Sequence, residues 1–291
     1  MSEQIVETRL DGKMKAIPDL QYDGSSIDVL YDYHEEAIKW YENHLGWKVE
    51  QKEDWKVDPR VVQGKMTHMG YGAWLVSYIA NERLPFHFAE RGTVDSNVRL
   101  CFKARDLDKA HSGFSTNGIR VSDIYDGPGG HRYFDAWVTL EGIKFTFQNE
   151  LENSLVAFPH CDNFRDTCVF IGVSNLEKSV EWYKHFVGME VESEYIEDGY
   201  VIMSLGVNHH PDGKSKWILV TLPENAYVGK VDGAVRPMCF IHNRDEFFEY
   251  HRFLKANGVE VGEIGGFTGR GMSMFHFYDL DGNRFNVSCF V

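Results

Sequence analysis

The stretch that decides the fold is Tyr278-Asp279-Leu280-Asp281-Gly282-Asn283-Arg284-Phe285-Asn286-Val287, close to the C-terminal end of the sequence. An aromatic-rich run before it, the turn residues Asp-Leu-Asp-Gly-Asn and a second short run predict a closing β-hairpin. The same pattern occurs 140 positions earlier, where Asp281-Gly282 falls on Glu141-Gly142 and Asn286 falls on Thr146. This echo indicates that the chain is a duplication.

The unit that is duplicated is predicted from the N-terminal part of the chain. A strand candidate at residues 27–31 is followed by apolar residues at helical spacing that end at Gly46, and three short strand-like runs follow. This order is β-α-β-β-β. A forward shift of 142 positions places Trp40-Tyr41 on Trp182-Tyr183 and Gly46 on Gly188 without a gap.

Two further units complete the pattern, because residues 97–117 match residues 237–257 at the offset of 140. The chain therefore reads as four units, which we call A, B, A′ and B′. Their helices are predicted to be centred on Trp40, Ala110, Trp182 and Tyr250.

The fold class predicted from this pattern is α+β, with two tandem domains. Residues 1–21 form an N-terminal extension, residues 22–149 the first domain, residues 150–163 a polar linker and residues 164–291 the second domain. Units A and B are expected to close one curved mixed sheet and units A′ and B′ another, with helices on the outer face. His160-Cys161-Asp162 in the linker and His209-His210 at a hairpin tip are interpreted as loop residues.

Composition restricts the class of protein. The 291 residues are 43% hydrophobic without a membrane-length apolar run, and the formal charge of −14 disfavours nucleic acid as a partner. The N-terminal residues lack the apolar core of a secretory signal, and the five cysteines are scattered without a Cys-x-x-Cys pair. We therefore expect a cytoplasmic protein with reduced thiols and no membrane partner.

The arrangement resembles the vicinal oxygen chelate superfamily, which includes glyoxalase I, extradiol dioxygenases, fosfomycin-resistance enzymes and bleomycin-resistance proteins. The residues that carry the resemblance are Val173-Ser174-Asn175-Leu176-Glu177-Lys178-Ser179, the helix with Trp182-Tyr183, Gly188, and the closing Asp279-Leu280-Asp281-Gly282-Asn283. The resemblance covers nearly the whole chain from about residue 22. It implies sheets that curl around a cup, but one such fold hosts many chemistries.

The resemblance also implies where a divalent metal is held in the metal-binding members. A His comes from the first strand of a unit and a Glu from the last hairpin strand. The matching positions here are Cys168, Ser26, Met238 and Val98 on the first strands and Asn286 and Thr146 on the hairpin strands. Because none of the six is His, Asp or Glu, we predict no metal at these positions and no cofactor.

Two functions from different classes follow. The first is a metal-independent small-molecule binding protein, similar to the bleomycin-resistance proteins, which are acidic dimers that sequester a basic antibiotic; a cationic or aromatic ligand and a homodimer are then implied. Aromatic side chains on candidate strands would offer stacking faces, namely Trp74, Trp137, Trp217 and Phe285. The predicted ligand-binding residues are Cys168, Trp217, Met238, Arg270, His276 and Asn286.

The second function is a glyoxalase- or dioxygenase-like enzyme (a lyase, isomerase or oxygenase) with a non-standard site. Its candidate groups are His276, His242, Cys168, Arg270 and Asp135. A structural or regulatory protein with a vestigial cup is the third alternative.

The second half is predicted to carry the working site. The position of a catalytic Tyr in the extradiol members falls on His276, which is the candidate catalytic residue, whereas the offset of 140 places Ala136 there in the first half. We expect His276 to share a cup face with Cys168, Met238 and Asn286. The first half would offer the smaller and less polar set Ser26, Val98, Ala136 and Thr146.

Overall fold

The structure, a computed structural model, describes residues 17–55, 61–70, 73–80, 97–139, 141–150, 164–206, 214–224, 234–267 and 271–290. The helices within these residues are α1 (His34–Leu45), α2 (Leu107–Thr116), α3 (Leu176–Phe186) and α4 (Arg244–Ala256). The strands are β1 (Gln21–Asp28), β2 (Gln51–Trp55), β3 (Val61–His68), β4 (Ala73–Ala80), β5 (Val98–Ala104), β6 (Arg120–Val121), β7 (Tyr125–Asp126), β8 (Arg132–Val138), β9 (Ile143–Asn149), β10 (Phe164–Val173), β11 (Glu190–Tyr195), β12 (Tyr200–Leu205), β13 (Ser215–Thr221), β14 (Val235–Phe240), β15 (Gly265–Phe267), β16 (Met272–Tyr278) and β17 (Arg284–Phe290).

The four predicted helices are confirmed, and local chemistry sets their ends. The side chains of Asp106, Asn175 and Asn243 each accept a hydrogen bond from a backbone N–H of the first helical turn. The helix α1 ends at Gly46, whose φ of 67° lies in the left-handed region that glycine tolerates. None of the helices in the described part of the chain is both long and apolar enough to cross a membrane.

The α+β class with two curved mixed sheets is confirmed, but the predicted pairing of the units is wrong. Sheet I has the order β15-β16-β17-β14-β1-β4-β3-β2, and sheet II has the order β11-β12-β13-β10-β5-β9-β8-β6, with β7 pairing β8. Unit A therefore shares sheet I with B′, and B shares sheet II with A′. Each sheet draws one unit from residues 22–149 and one from residues 164–291.

The connection between the halves is compatible with this pairing. Only 14 residues separate Asn149 at the end of β9 from Phe164 at the start of β10 (164 − 149 − 1). Short connections favour neighbouring placement of consecutive strands, and β9 and β10 lie in one sheet on either side of β5.

The main core lies between the two sheets. Trp217 of sheet II stacks on Phe285 of sheet I with 5.7 Å between ring centroids, and Tyr22 meets the edge of the same indole at 5.2 Å. The helix α1 of unit A contributes Tyr41, which packs with Phe145 of unit B. The side of each sheet that faces away from this core is therefore a candidate position for a functional site.

Two length differences break the uniform offset of 140. The hairpin joining β8 to β9 has four residues between its strands, residues 139–142, whereas the β16–β17 hairpin has five, residues 279–283. The helix α2 has 10 residues and α4 has 13, so the N-cap residues Asp106 and Asn243 are 137 positions apart while the C-cap residues Asn117 and Asn257 are 140 apart. These differences change which residues are equivalent.

Candidate functional site

The first candidate site is the side of sheet I that faces away from the core. We call it the Ser26 face, after the central residue of the sheet. Ser26 lies beside Trp74 of β4 in parallel pairing and beside Arg236 of β14 in antiparallel pairing. Across opposed strand positions side chains point to the same side, so these three residues form one row.

Three of the six positions that the resemblance implies for a metal, namely Ser26, Met238 and Asn286, lie on this face. Met238 is paired with Asn286 and Asn286 with His276, so all three are on the same side as the Ser26 row. The Ser26 hydroxyl donates to the Met238 sulfur at 3.1 Å. Hydroxyl, indole, thioether and amide groups provide no anionic ligand, so the residues present do not fit a divalent metal of this family.

The clustering of ligand types supports the same conclusion. No group of three or more His, Cys, Asp or Glu side chains within the described ranges could hold a metal ion.

A buried ion pair stands at the centre of the Ser26 face. Arg236 donates to Asp28, and their side chains are 7% and 2% exposed. The charges of the two groups cancel locally, so the pair offers hydrogen-bond donors without net charge. The Arg236 Nε and the Trp74 Nε1 are buried and have no hydrogen-bond partner in the part of the chain that the structure describes.

The predicted catalytic candidate His276 is also on the Ser26 face. Its ring meets the edge of Tyr278 at 5.5 Å. Gly262 lies against the other side, where a Cβ atom would come within 2.3 Å of the imidazole. His276 is thus held in one orientation, and its proposed role stays a prediction.

The second candidate site is the outward side of sheet II, which we call the Cys168 face. Cys168 is opposite Cys101 and beside Lys216. The two thiols, with Tyr133, Phe170, Ile202 and Ile218, form a small hydrophobic cluster separate from the main core. This face is therefore partly filled by its own side chains.

The polar centre of the Cys168 face is Asp135. Its carboxylate accepts hydrogen bonds from Arg99 at 3.2 Å, Tyr125 at 3.2 Å and Thr146 at 2.7 Å. Burial, together with the Asp135 charge, raises the pKa of Tyr125, so the phenol remains a donor. Both carboxylate oxygens of Asp135 thus accept at least one hydrogen bond.

Several sequence-based assignments are corrected by this geometry. Cys168 is on sheet II and does not share a face with Met238, His276 and Asn286. Trp217 is fully buried in the core, where its Nε1 donates to Ser215 at 2.8 Å, so it cannot line either face. Phe285 is also in the core, and Arg270 lies outside the described residues.

The equivalents assigned to the first half are corrected as well. Because the first hairpin is one residue shorter, Asp135 opposes Thr146 just as His276 opposes Asn286, whereas Ala136 points into the core. Val98 is a core residue, and Cys101 takes the position of Met238 because it pairs with Thr146. The first half is consequently not the less polar one.

The residues that sequence reasoning missed are Asp28, Arg99 and Arg236. Arg99 and Arg236 occupy equivalent positions, each seven residues before the N-cap residue of its helix (106 − 7 and 243 − 7). Counting back from these caps instead of using a constant offset would have identified both arginines.

Two of the remaining candidates lie elsewhere. His242 is exposed, and its Nε2 is 2.6 Å from the Gln21 side-chain oxygen. Trp137 is half-buried near the edge of sheet II, where the Arg120 guanidinium lies 4.0 Å from its ring centroid. The Ser26 face is therefore the candidate site with buried hydrogen-bond donors that have no acceptor among the described residues.

Comparison with solved structures supports the fold. Glyoxalase I from Zea mays superposes with a TM-score of 0.63 and 14% identity, over 93% of this chain and 92% of that one. A candidate dioxygenase from Bacillus subtilis superposes with a TM-score of 0.63 and 9% identity, over 94% of this chain and 86% of that one. At these identities the likeness concerns the fold alone.

Comparison at the level of sequence finds a family match for the second half of the chain. No curated protein matches the chain. The model of the Glyoxalase/Bleomycin resistance protein/Dioxygenase superfamily matches residues 158–287, which span the A′ and B′ units. Residues 158–287 are therefore similar to the glyoxalase/bleomycin resistance protein/dioxygenase superfamily, and the chain shares the fold of the two solved structures over nearly its whole length.

Proposed function

We propose that the protein is a metal-independent binding protein for a neutral aromatic compound that carries a carbonyl oxygen, and that the Ser26 face is its site. The observation that carries the proposal is the pair of buried donors, Trp74 Nε1 and Arg236 Nε, on either side of Ser26. A buried donor without an acceptor costs about 1–3 kcal/mol, which a ligand oxygen would recover.

The aromatic part of the ligand is argued from the neighbours of Trp74. Its indole stacks on His68 at 4.2 Å with an interplanar angle of 16°, and Val76 and Tyr78 continue the same side of β4. The Cα positions of Trp74 and Arg236 are two strand spacings apart, roughly 10 Å. A one- or two-ring molecule fits this span.

The neutral charge of the ligand is argued from the surrounding charges. Arg236 is already compensated by Asp28, so a carboxylate would add an unpaired charge at this position. The chain's formal charge of −14 also repels anions. A carbonyl oxygen accepts a hydrogen bond without either cost.

The test compares acetophenone with α-methylstyrene, which replaces the carbonyl oxygen by a methylene group of similar shape. We expect calorimetric titration to give at least tenfold tighter binding of acetophenone, because only the ketone satisfies the buried donors. Replacing Trp74→Phe keeps an aromatic ring on His68 and removes the donor, so acetophenone should bind about tenfold more weakly.

The control for this experiment is Trp137→Phe, which removes an indole N–H near the edge of sheet II. It should leave acetophenone affinity unchanged. Equal affinities for both compounds, or an unchanged affinity in Trp74→Phe, would contradict the proposal. Mass spectrometry of the titrated mixture monitors conversion of acetophenone, and a product lost in His276→Ala would favour the enzyme alternative instead.

Metal independence is tested separately. We expect protein purified without chelator to contain less than one tenth of an equivalent of Ni, Zn, Mn or Fe, and EDTA to leave its melting temperature unchanged, because no ion contributes to folding. Elemental analysis and thermal unfolding measure the two quantities. About one equivalent of metal that is lost in Asn286→Ala would overturn this part of the proposal.

A further inference from the structure

A cleft of about 440 Å³ lies where α1 of unit A meets unit B. One wall is formed by α1 and the turn Tyr31–Tyr33 before it, and the other by the β8–β9 hairpin and the residues that follow α2. The first wall comes from unit A, whose strands are in sheet I, and the second wall comes from unit B, whose strands are in sheet II. The cleft is separate from the row of Trp74, Ser26 and Arg236, because none of those residues lines it.

The buried acidic group in the lining of this cleft is Glu141, which is only 8% exposed. Its Oε1 accepts a hydrogen bond from the backbone N–H of Leu30 at 2.6 Å. Its Oε2 is buried and has no hydrogen-bond partner among the described residues. A carboxylate oxygen in this condition favours a cationic donor.

The charged groups around Glu141 give the cleft a strongly polar lining. Burial, with the Glu141 carboxylate nearby, raises the pKa of Tyr41 well above its usual value. Glu36, which is exposed on the first turn of α1, adds a second negative charge to the lining. Among the described residues that line the cleft, Arg120 is the one with a cationic side chain.

The walls of the cleft are aromatic. Tyr33, Trp40 and Trp137 line it. The Arg120 guanidinium stands 4.0 Å from the Trp137 ring centroid, so this indole face already accepts a cation. Aromatic walls around a buried carboxylate are the arrangement that recognises an organic cation with an apolar body.

The equivalent place in the second half shares the buried acid, including a carboxylate oxygen without a hydrogen-bond partner among the described residues, but not the aromatic lining. Asp281 takes the position of Glu141, and its Oδ2 accepts from the backbone N–H of Ser174 at 3.0 Å. Anchoring the start of the helix is thus a shared task of both acids. The aromatic mouth is not shared, because Tyr33 is replaced there by Asn175, which caps α3.

We propose that the cleft beside Glu141 binds a small organic cation, an aryl-alkyl ammonium compound. The ammonium group donates to the Glu141 Oε2, and the aryl group packs on Trp40 and Trp137. This site goes beyond the proposed function, since it uses other residues and a ligand of opposite chemistry.

The experiment titrates the full chain with 2-phenylethylammonium and with 2-phenylethanol, its neutral isostere, by calorimetry. We expect the cation to bind at least tenfold more tightly than the alcohol. Glu141→Gln retains an oxygen for the Leu30 N–H but removes the charge, so the preference for the cation should disappear. Asp281→Asn is the matched control and should leave the preference intact.

A second variant changes an exposed residue, so its effect on binding does not depend on how a buried substitution affects folding. Arg120 is exposed, and Arg120→Gln removes the one competing cation among the described lining residues, so the affinity for 2-phenylethylammonium should rise at least twofold. Equal loss in Glu141→Gln and Asp281→Asn, or weaker binding in Arg120→Gln, would overturn the assignment. Saturating acetophenone should not displace the cation, and displacement would likewise overturn it by placing the cation on the Ser26 face.

Discussion

Replacing Arg236→Met should lower the free energy of unfolding by about 3–5 kcal/mol, because it leaves the Asp28 carboxylate buried without its cationic partner. Both side chains are almost fully removed from solvent. Urea unfolding monitored by circular dichroism measures the change in free energy.

Two controls separate this ion pair from a general effect of removing arginine. The exposed pair of Arg252 and Glu249 should contribute less than about 1 kcal/mol, so Arg252→Met should change the unfolding free energy only slightly. The double variant Asp28→Leu with Arg236→Met removes both charges and should recover most of the loss. If Arg236→Met behaved like Arg252→Met, the pair would not organise the Ser26 face.

The second large effect concerns pH and Asp279, at the turn of the closing hairpin. Burial raises the pKa of this carboxyl from its usual 3.8 to about 6, although hydrogen bonds from Tyr183 at 2.5 Å and from Asn283 lower it in part. Between pH 4 and 6 the folded protein therefore holds a proton that the unfolded chain has lost. Stability from this group is full below the usual pKa and falls as pH rises through about 6.

The full titration corresponds to about 3 kcal/mol, since each unit of pKa shift corresponds to about 1.4 kcal/mol, and about 2 kcal/mol of it should fall between pH 4 and pH 6. Asp279→Asn removes the titrating group. The difference in unfolding free energy between the native sequence and this variant, measured at pH 4, 5, 6 and 7, should change in the stated direction up to about pH 6 and level off by pH 7. A difference that stays constant from pH 4 to 7 would contradict the buried, protonated carboxyl.

Much of the fold can be predicted from local patterns in the sequence. The sequence predicts all four helices correctly, because the apolar spacing of a helix and the glycine that follows it are both local features. The turn acids Glu141 and Asp281 were recognised as equivalents for the same reason. Strand alternation also placed His276 and Tyr278 on one side of β16 correctly, since both pair across to the same side of β17.

The candidate site was less predictable, because it depends on counts that a constant offset hides. Because the first hairpin has one residue fewer, Ala136 points toward the core and Asp135 lies within hydrogen-bonding distance of Arg99. Three residues more in α4 shift the equivalence of the preceding strands, so a constant offset of 140 does not align Arg236 with Arg99. Small differences in element length thus decide which side chains share a face.

The sequence by itself determined the repeated β-α-β-β-β unit, its helix caps and its turns, and it predicts that none of the positions matched to a metal site is His, Asp or Glu. Only the tertiary structure decided that unit A pairs with B′ and unit B with A′, and therefore that Cys168 and His276 lie in different sheets. The physical reason is that the hydrogen bonds between strand backbones are the same whichever unit is the partner. The choice is made by packing at a distance, such as Trp217 on Phe285, which no local pattern records.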